Sequence, residues 1–127
     1  MTWPNFEKTK HILVIDDHDA VISTFKIILE ANHYMGHYPN VFDVKPHCQL
    51  LSNTVTISMI FIDYQLPGYT GVDLIPTLET LFPHTPIIGM SSCYDARQLF
   101  INHGILTFLN KPFNLHQLQH LINHRST

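Results

Sequence analysis

The chain has 127 residues, 45% of them hydrophobic, and carries a formal net charge of −3 when its 10 histidines are neutral. A chain of this length builds a single domain with one hydrophobic core. The negative charge excludes the basic surface that non-specific binding to nucleic acid or to an anionic membrane requires.

Composition and spacing also bear on where the protein works. No apolar run reaches the roughly 18–20 residues that cross a bilayer. The opening residues contain Glu7 and lack the apolar segment of a secretory signal. The two cysteines, Cys48 and Cys93, show no metal-binding spacing. We therefore expect a cytoplasmic protein with reduced thiols and with residues 1–9 as an N-terminal tail.

Five segments are predicted to be strands. Four of them are almost continuously apolar, which is typical of strands buried on both faces of a parallel sheet. These four cover residues 11–15, 59–62, 86–90 and 105–109. A weaker strand is predicted near residues 34–38.

Each predicted strand is followed by a segment with the spacing of an amphipathic helix. The predicted helices cover residues 19–32, 41–51, 71–81, 95–103 and 113–124. The second is the least secure, because Pro46 is tolerated only in a first turn, and Pro76 should kink the third helix or shift its start. Strand and helix thus alternate five times, which predicts an α/β domain with helices on both faces of a parallel sheet.

Polar side chains follow the predicted strands, where ligands bind in such folds. Asp16 and Asp17 follow the first strand and Asp63 follows the third, while Ser91 and Lys111 follow the fourth and fifth. Carboxylates gathered at one edge repel one another, and a divalent cation with oxygen ligands, such as Mg²⁺, would relieve that repulsion. Taken alone, the first two carboxylates favour a solvated turn or an N-cap of the first helix, whereas together with Asp63 and Lys111 they favour the cation site.

Four motifs, in this order, carry a resemblance to a known family. They are VIDD (14–17), IDYQLPGYTG (62–71), IIGMSS (87–92) and GILTFLNKPF (104–113). Over residues 10–124 the chain resembles the receiver domain of two-component response regulators. The resemblance implies a three-layer (βα)5 doubly wound fold of the flavodoxin-like type, with strand order 2-1-3-4-5.

The resemblance also implies a phosphoacceptor and a metal site. Asp63 matches the aspartate that receives the phosphoryl group. Asp17 matches a direct Mg²⁺ ligand and Asp16 its outer-sphere partner, and Asp63 and the main-chain carbonyl of Gln65 complete the set.

Further positions match groups that bind the phosphoryl group or respond to it. Ser91 and Lys111 match its hydroxyl and ammonium partners, and the Lys111–Pro112 bond is expected to be cis. Ser91 and Phe108 match the two switch positions. Ser92 departs from the family, which usually has Ala or Gly there, and this puts phosphoryl access or local packing in doubt.

The function implied is that of a stand-alone receiver. Asp63 would take a phosphoryl group from a phosphohistidine of a sensor kinase, and the face formed by helix 4, strand 5 and helix 5 would then change its affinity for a protein partner. We expect no direct binding to nucleic acid or membrane, and no enzymatic activity beyond self-phosphorylation and autodephosphorylation. The alternatives are a phosphorelay intermediate that passes the group to a histidine phosphotransfer protein, a fragment of a longer regulator with an output domain, and a scaffold.

The last predicted helix carries a separate pattern. His116, His120 and His124 recur every four residues, opposite the leucine-rich stripe. We expect them to face solvent, with chelation of a transition metal as the alternative.

Overall fold

The computed structural model describes residues 9–125. The predicted tail, residues 1–9, lies outside the described residues except for Thr9. Within residues 9–125 the strands are β1 (His11–Ile15), β2 (Met35–His37), β3 (Ile57–Asp63), β4 (Gln65–Leu66), β5 (Tyr69–Thr70), β6 (Ile87–Ser91) and β7 (Thr107–Asn110). The helices are α1 (Asp19–Ala31), α2 (Val44–Thr54), α3 (Ile75–Leu81), α4 (Ala96–Ile101) and α5 (Leu115–Arg125).

The main sheet contains five parallel strands in the order β2-β1-β3-β6-β7. Counted along the chain without the short β4–β5 hairpin, this is the predicted order 2-1-3-4-5. The doubly wound α/β fold is therefore confirmed. The hairpin was not predicted, because strands of two residues show no periodicity.

Helices cover both faces of the sheet, and the alternation along β1 shows how. Leu13 and Ile15 belong to the core packed against α2, α3 and α4. Ile12 and Val14 point the other way, into the core packed against α1 and α5. All four side chains are fully buried, as continuous apolar strands predict.

The two prolines act as their positions predict. Pro46 lies in the first turn of α2, which begins at Val44, three residues later than expected, after a turn in which Asp43 N–H donates to the Asn40 carbonyl. Pro76 is the second residue of α3, and the preceding residues Gly71–Leu74 form a 3₁₀ helix. The third predicted helix therefore begins with a tighter, 3₁₀ turn. Proline is tolerated at the start of α3 because it has no N–H to donate, and the first N–H groups of a helix have no partner within the helix.

Helix α4 has six residues and is anchored by Phe100, which is 1% exposed. Its ring lies over Gly89 of β6, where an added Cβ would stand 2.7 Å from the ring carbon Cδ2. The glycine therefore allows the helix to approach the sheet.

Candidate functional site

The predicted polar residues gather at the carboxyl ends of β1, β3, β6 and β7. Asp63 and Ser91 are the last residues of their strands, and Asp16 and Lys111 follow theirs directly. Asp63, Ser91 and Lys111 border a cleft of about 850 Å³, and Asp16 is buried beside it. We call Asp16, Asp17, His18, Asp63 and Lys111 the acidic centre.

Lys111 joins two buried carboxylates. Its Nζ lies 2.6 Å from Asp16 Oδ2 and 3.0 Å from Asp63 Oδ1, and the lysine side chain is 12% exposed. The contact with Asp16 is an ion pair without hydrogen-bond geometry, since Asp16 Oδ2 has no hydrogen-bond partner among residues 9–125. The Lys111–Pro112 bond is cis, and Lys111 N–H donates to the Ser91 carbonyl, so the last two strands hold the lysine in place.

The pKa of Asp63 is set by its burial and by the charges around it. Burial raises its pKa above the usual value of 3.8, and the negative charge of Asp16 raises it further, while Lys111 and His18 act in the opposite direction. One oxygen faces Lys111, and the other, Oδ2, is buried without a hydrogen-bond partner among the described residues. Such an oxygen is costly unless a cation or a substrate group joins it.

His18 is part of the centre, although no motif in the sequence marks it as a site residue. It is the N-cap residue of α1, and its backbone N–H donates to Asp16 Oδ1 over 2.8 Å. Its Nδ1 lies 2.8 Å from Asp16 Oδ1, 3.4 Å from Asp17 Oδ1 and 3.6 Å from Asp63 Oδ2. The available signal was its position immediately after the paired aspartates.

The residues present fit a divalent cation. Asp16, Asp17, His18 and Asp63 each offer one ligand atom, and these atoms lie within 4.8 Å of one another. The buried, unpartnered Asp63 Oδ2 points to the same conclusion. Gln65 borders the same cleft.

The two predicted switch residues lie apart from the carboxylates in different ways. Ser91 borders the cleft, but its Oγ accepts from the Cys93 N–H over 2.8 Å and donates to the Cys93 carbonyl over 3.2 Å. Phe108 belongs to β7 and its ring contacts α4, lying 6.3 Å from the ring of Phe100 with the Arg97 guanidinium 4.7 Å above it. Ser91 is therefore engaged with its own loop, and Phe108 is held by α4.

The histidines of α5 are exposed, as predicted. The rings of His120 and His124 stack with centroids 4.0 Å apart, and His124 Nδ1 contacts the His120 carbonyl over 2.9 Å. Within residues 9–125 the acidic centre is the group that brings three or more metal-ligating side chains together. Cys48 and Cys93 are free thiols, and burial raises the pKa of Cys48 to about 11.

A flavodoxin-like domain with an acidic site at the carboxyl edge of its sheet is the class that fold and site define. The chain belongs to the response regulator receiver domain family, whose model matches residues 12–123. It is thus the receiver domain of a two-component system.

Known relatives agree with this family. An uncharacterized response regulatory protein of Staphylococcus epidermidis is 23% identical over 114 residues, covering 88% of this chain and 45% of that protein. Two-component response regulator ARR16 of Arabidopsis thaliana is 26% identical over 139 residues, covering 91% of this chain and 82% of that protein. The chain therefore spans less than half of the first relative and most of the second.

Solved structures agree on the fold. The crystal structure of a CheY-like response regulator receiver domain protein from Methanospirillum hungatei matches with a TM-score of 0.78 and 21% identity, over 94% of both chains.

None of the helices in residues 9–125 has the length and apolar character needed to cross a membrane.

Proposed function

We propose that this receiver domain accepts a phosphoryl group on Asp63 from a phosphohistidine, in a reaction that depends on Mg²⁺. The observation that carries the proposal is the carboxylate of Asp63, whose Oδ1 is paired with Lys111 and whose buried Oδ2 has no hydrogen-bond partner among residues 9–125. The Lys111 ammonium thus neutralises one oxygen, while the second is left for a cation or for the incoming phosphoryl group.

The reaction is an in-line phosphoryl transfer. A carboxylate oxygen of Asp63 would form a bond to phosphorus while the bond from phosphorus to the donor's imidazole nitrogen breaks, and the imidazole leaves with the electron pair of that bond. Charge spreads over the three equatorial phosphoryl oxygens in such transfers. Lys111, 3.0 Å from the acceptor carboxylate, lies where its ammonium can neutralise that charge.

Mg²⁺ would supply further positive charge to the phosphoryl oxygens when bound. The residues that would hold it are Asp17 and Asp63 directly, Asp16 through its outer sphere, and Gln65 through its main-chain carbonyl. Oxygen ligands at this density suit a hard divalent cation.

The response would begin at Ser91. Its hydroxyl must leave Cys93 to reach an acyl phosphate on Asp63, which adds charge and acceptor oxygens. The movement would make room for Phe108 to turn inward and would change the face formed by α4, β7 and α5. Exposed apolar side chains on and beside this face support a protein partner there: Tyr94, Leu99, Leu106 and Leu115.

We expect the protein to act in the cytoplasm with a sensor histidine kinase or a histidine phosphotransfer protein as donor. Its chemistry would be limited to its own phosphorylation and dephosphorylation. The net charge of −3 supports a protein partner rather than nucleic acid.

The test is incubation with acetyl phosphate and Mg²⁺, followed by intact mass measurement. The wild-type protein should gain the mass of one phosphoryl group, and Asp63→Asn should gain none, because it keeps the shape and loses the nucleophile. Asp95→Asn, an exposed aspartate beside α4, is the matched control and should be modified like wild type. An unmodified wild-type protein would favour the scaffold.

A second assay separates a switch from a relay. Protein labelled on Asp63 is mixed with a histidine phosphotransfer protein, and the label is followed on both chains. Retention of the label supports the switch, and transfer supports the phosphorelay intermediate.

A further inference from the structure

We infer that His18 contributes an imidazole nitrogen to the cation site of Asp16, Asp17 and Asp63, which makes the site favour Zn²⁺ relative to Mg²⁺. The inference shares its cation site with the proposed function and does not require phosphoryl transfer. It concerns a residue directly beside the paired aspartates.

The first support is the position of the ring. His18 Nδ1 lies within 2.8–3.6 Å of one oxygen from each of the three carboxylates. One nitrogen therefore faces the point on which all three acids converge, and its ligand atom belongs to the same group of four within 4.8 Å.

The second support is the buried oxygen of Asp63. Asp63 Oδ2 has no hydrogen-bond partner in the described part of the chain, and His18 Nδ1, at 3.6 Å, is too far to donate to it. A cation between these two atoms would satisfy the oxygen and use the nitrogen at once. The buried oxygen without a partner is thus evidence for a bound ligand that is separate from the clustering of the carboxylates.

The ring has the freedom to act as a ligand. Its Nδ1 contacts the acceptor oxygen Asp16 Oδ1 at 2.8 Å and the donor Lys111 Nζ at 3.4 Å, so the two contacts ask for opposite tautomers. The His18 side chain is 58% exposed, which leaves water available to Nε2. The 2.8 Å contact has Nδ1 donating to Asp16 Oδ1, and a cation that binds the carboxylates would shift the ring to the tautomer with the proton on Nε2, so that the Nδ1 lone pair faces the cation.

The donor set decides which metal benefits. Carboxylate and carbonyl oxygens suit Mg²⁺, whereas an imidazole nitrogen favours Zn²⁺ and other late first-row ions. A receiver site made of oxygen ligands alone would bind Zn²⁺ less tightly than a site that also has an imidazole ligand. His18 would therefore raise the affinity of the site for Zn²⁺ relative to Mg²⁺.

The test is a residue-resolved titration of the full chain by ¹⁵N NMR, with Zn²⁺ and Mg²⁺ added separately. The amide signals of residues 16–18 and 63 report binding at this site and distinguish it from binding at other histidines. In His18→Asn the N-cap is preserved, because Asn is a preferred N-cap residue, and an oxygen donor replaces the nitrogen. We expect its Zn²⁺ affinity to fall by about tenfold or more and its Mg²⁺ affinity to change much less.

The controls separate a ligand from a structural role. His124→Asn makes the same chemical change on α5 and should leave Zn²⁺ binding at residues 16–18 unaltered. Equal losses of Zn²⁺ and Mg²⁺ affinity in His18→Asn would mean that His18 only positions Asp16, and the inference would be wrong. It would also be wrong if Zn²⁺ moved no signal at these residues in the wild-type protein.

The proposed function is tested on a separate sample. Wild-type protein that gains no phosphoryl group from acetyl phosphate, yet loses its Zn²⁺ preference through His18→Asn, would overturn the proposed function and support the inference. Wild-type protein that is phosphorylated, with no change of preference in His18→Asn, would do the reverse.

Discussion

The acidic centre and the β6–α4–β7 edge (residues 87–110) lie side by side but are built differently. In the acidic centre, Asp16 and Asp63 are buried and Lys111 touches both within 3.0 Å. At the edge, α4 has six residues, and Tyr94 and Leu106 are 81% and 75% exposed. Charges are therefore prearranged in the first region, while the second leaves large apolar side chains exposed.

This difference fits a division of work within one domain. Preorganised charge would be useful in the proposed phosphoryl transfer, which develops charge, because the groups need not reorganise during the reaction. A short helix with few buried anchors is useful where the structure has to change, since regions with few buried contacts open at low cost. The two regions meet at Ser91, which ends β6 and borders the cleft.

The largest expected effect comes from removing the cation of the acidic centre. Lys111→Met keeps much of the apolar stem but leaves the carboxylates of Asp16 and Asp63 buried without their ionic partner. We expect the free energy of unfolding to fall by about 3 kcal/mol in metal-free buffer at neutral pH, measured by urea denaturation.

The matched control is Lys45→Met on α2, which changes an exposed lysine. It should change stability by about 0.5 kcal/mol or less. If the two variants lose the same stability, Lys111 is not a structural counter-ion and the contrast between the regions disappears.

A smaller effect of opposite sign is expected from Asp63, the proposed nucleophile. Asp63→Asn removes a carboxylate whose pKa is raised by burial and by Asp16. We expect the variant to be more stable than wild type by about 1 kcal/mol at neutral pH. A gain of this size would show that the buried carboxylate of Asp63 lowers the stability of the wild-type protein.

The pH dependence follows from the direction of the shift. Because the pKa of Asp63 is higher in the folded state, the folded state favours the protonated acid. Stability gained from protonation is complete below pH 3.8, the ordinary aspartate value, and is lost as the pH rises through the folded-state pKa. The advantage of Asp63→Asn over wild type should therefore grow with pH across this window. An advantage that shrinks with rising pH would contradict the assigned direction.

The strands and the carboxylates could be predicted from the sequence, because buried parallel strands are continuous apolar runs and their ends can be located directly. Asp16, Asp63 and Lys111 meet as expected for that reason. The ring position of His18 could not be predicted, since it depends on a side-chain rotamer at a helix start. The contacts of Ser91 could not be predicted either, because they also depend on a side-chain rotamer. Its hydroxyl is engaged by the backbone of Cys93.

The smallest expected effect concerns the edge itself. Arg97 lies over the Phe108 ring at 4.7 Å, a geometry in which the cation is attracted to the ring face. Arg97→Ala should lower the free energy of unfolding by about 0.5–1 kcal/mol. It should also shift the Phe108 ring signals in NMR spectra, because the guanidinium no longer covers one face of the ring.

A similar contact elsewhere in the molecule provides the comparison. Lys26 lies over the Tyr38 ring at 5.4 Å, on the α1 side of the sheet. Lys26→Ala should have a comparable effect on stability and none on the Phe108 signals. If Arg97→Ala moves the Phe108 ring while the amide signals of residues 16–18 and 63 stay in place, the edge responds without the acidic centre. Simultaneous movement of both sets of signals would instead mean that the two regions form one rigid unit before phosphorylation.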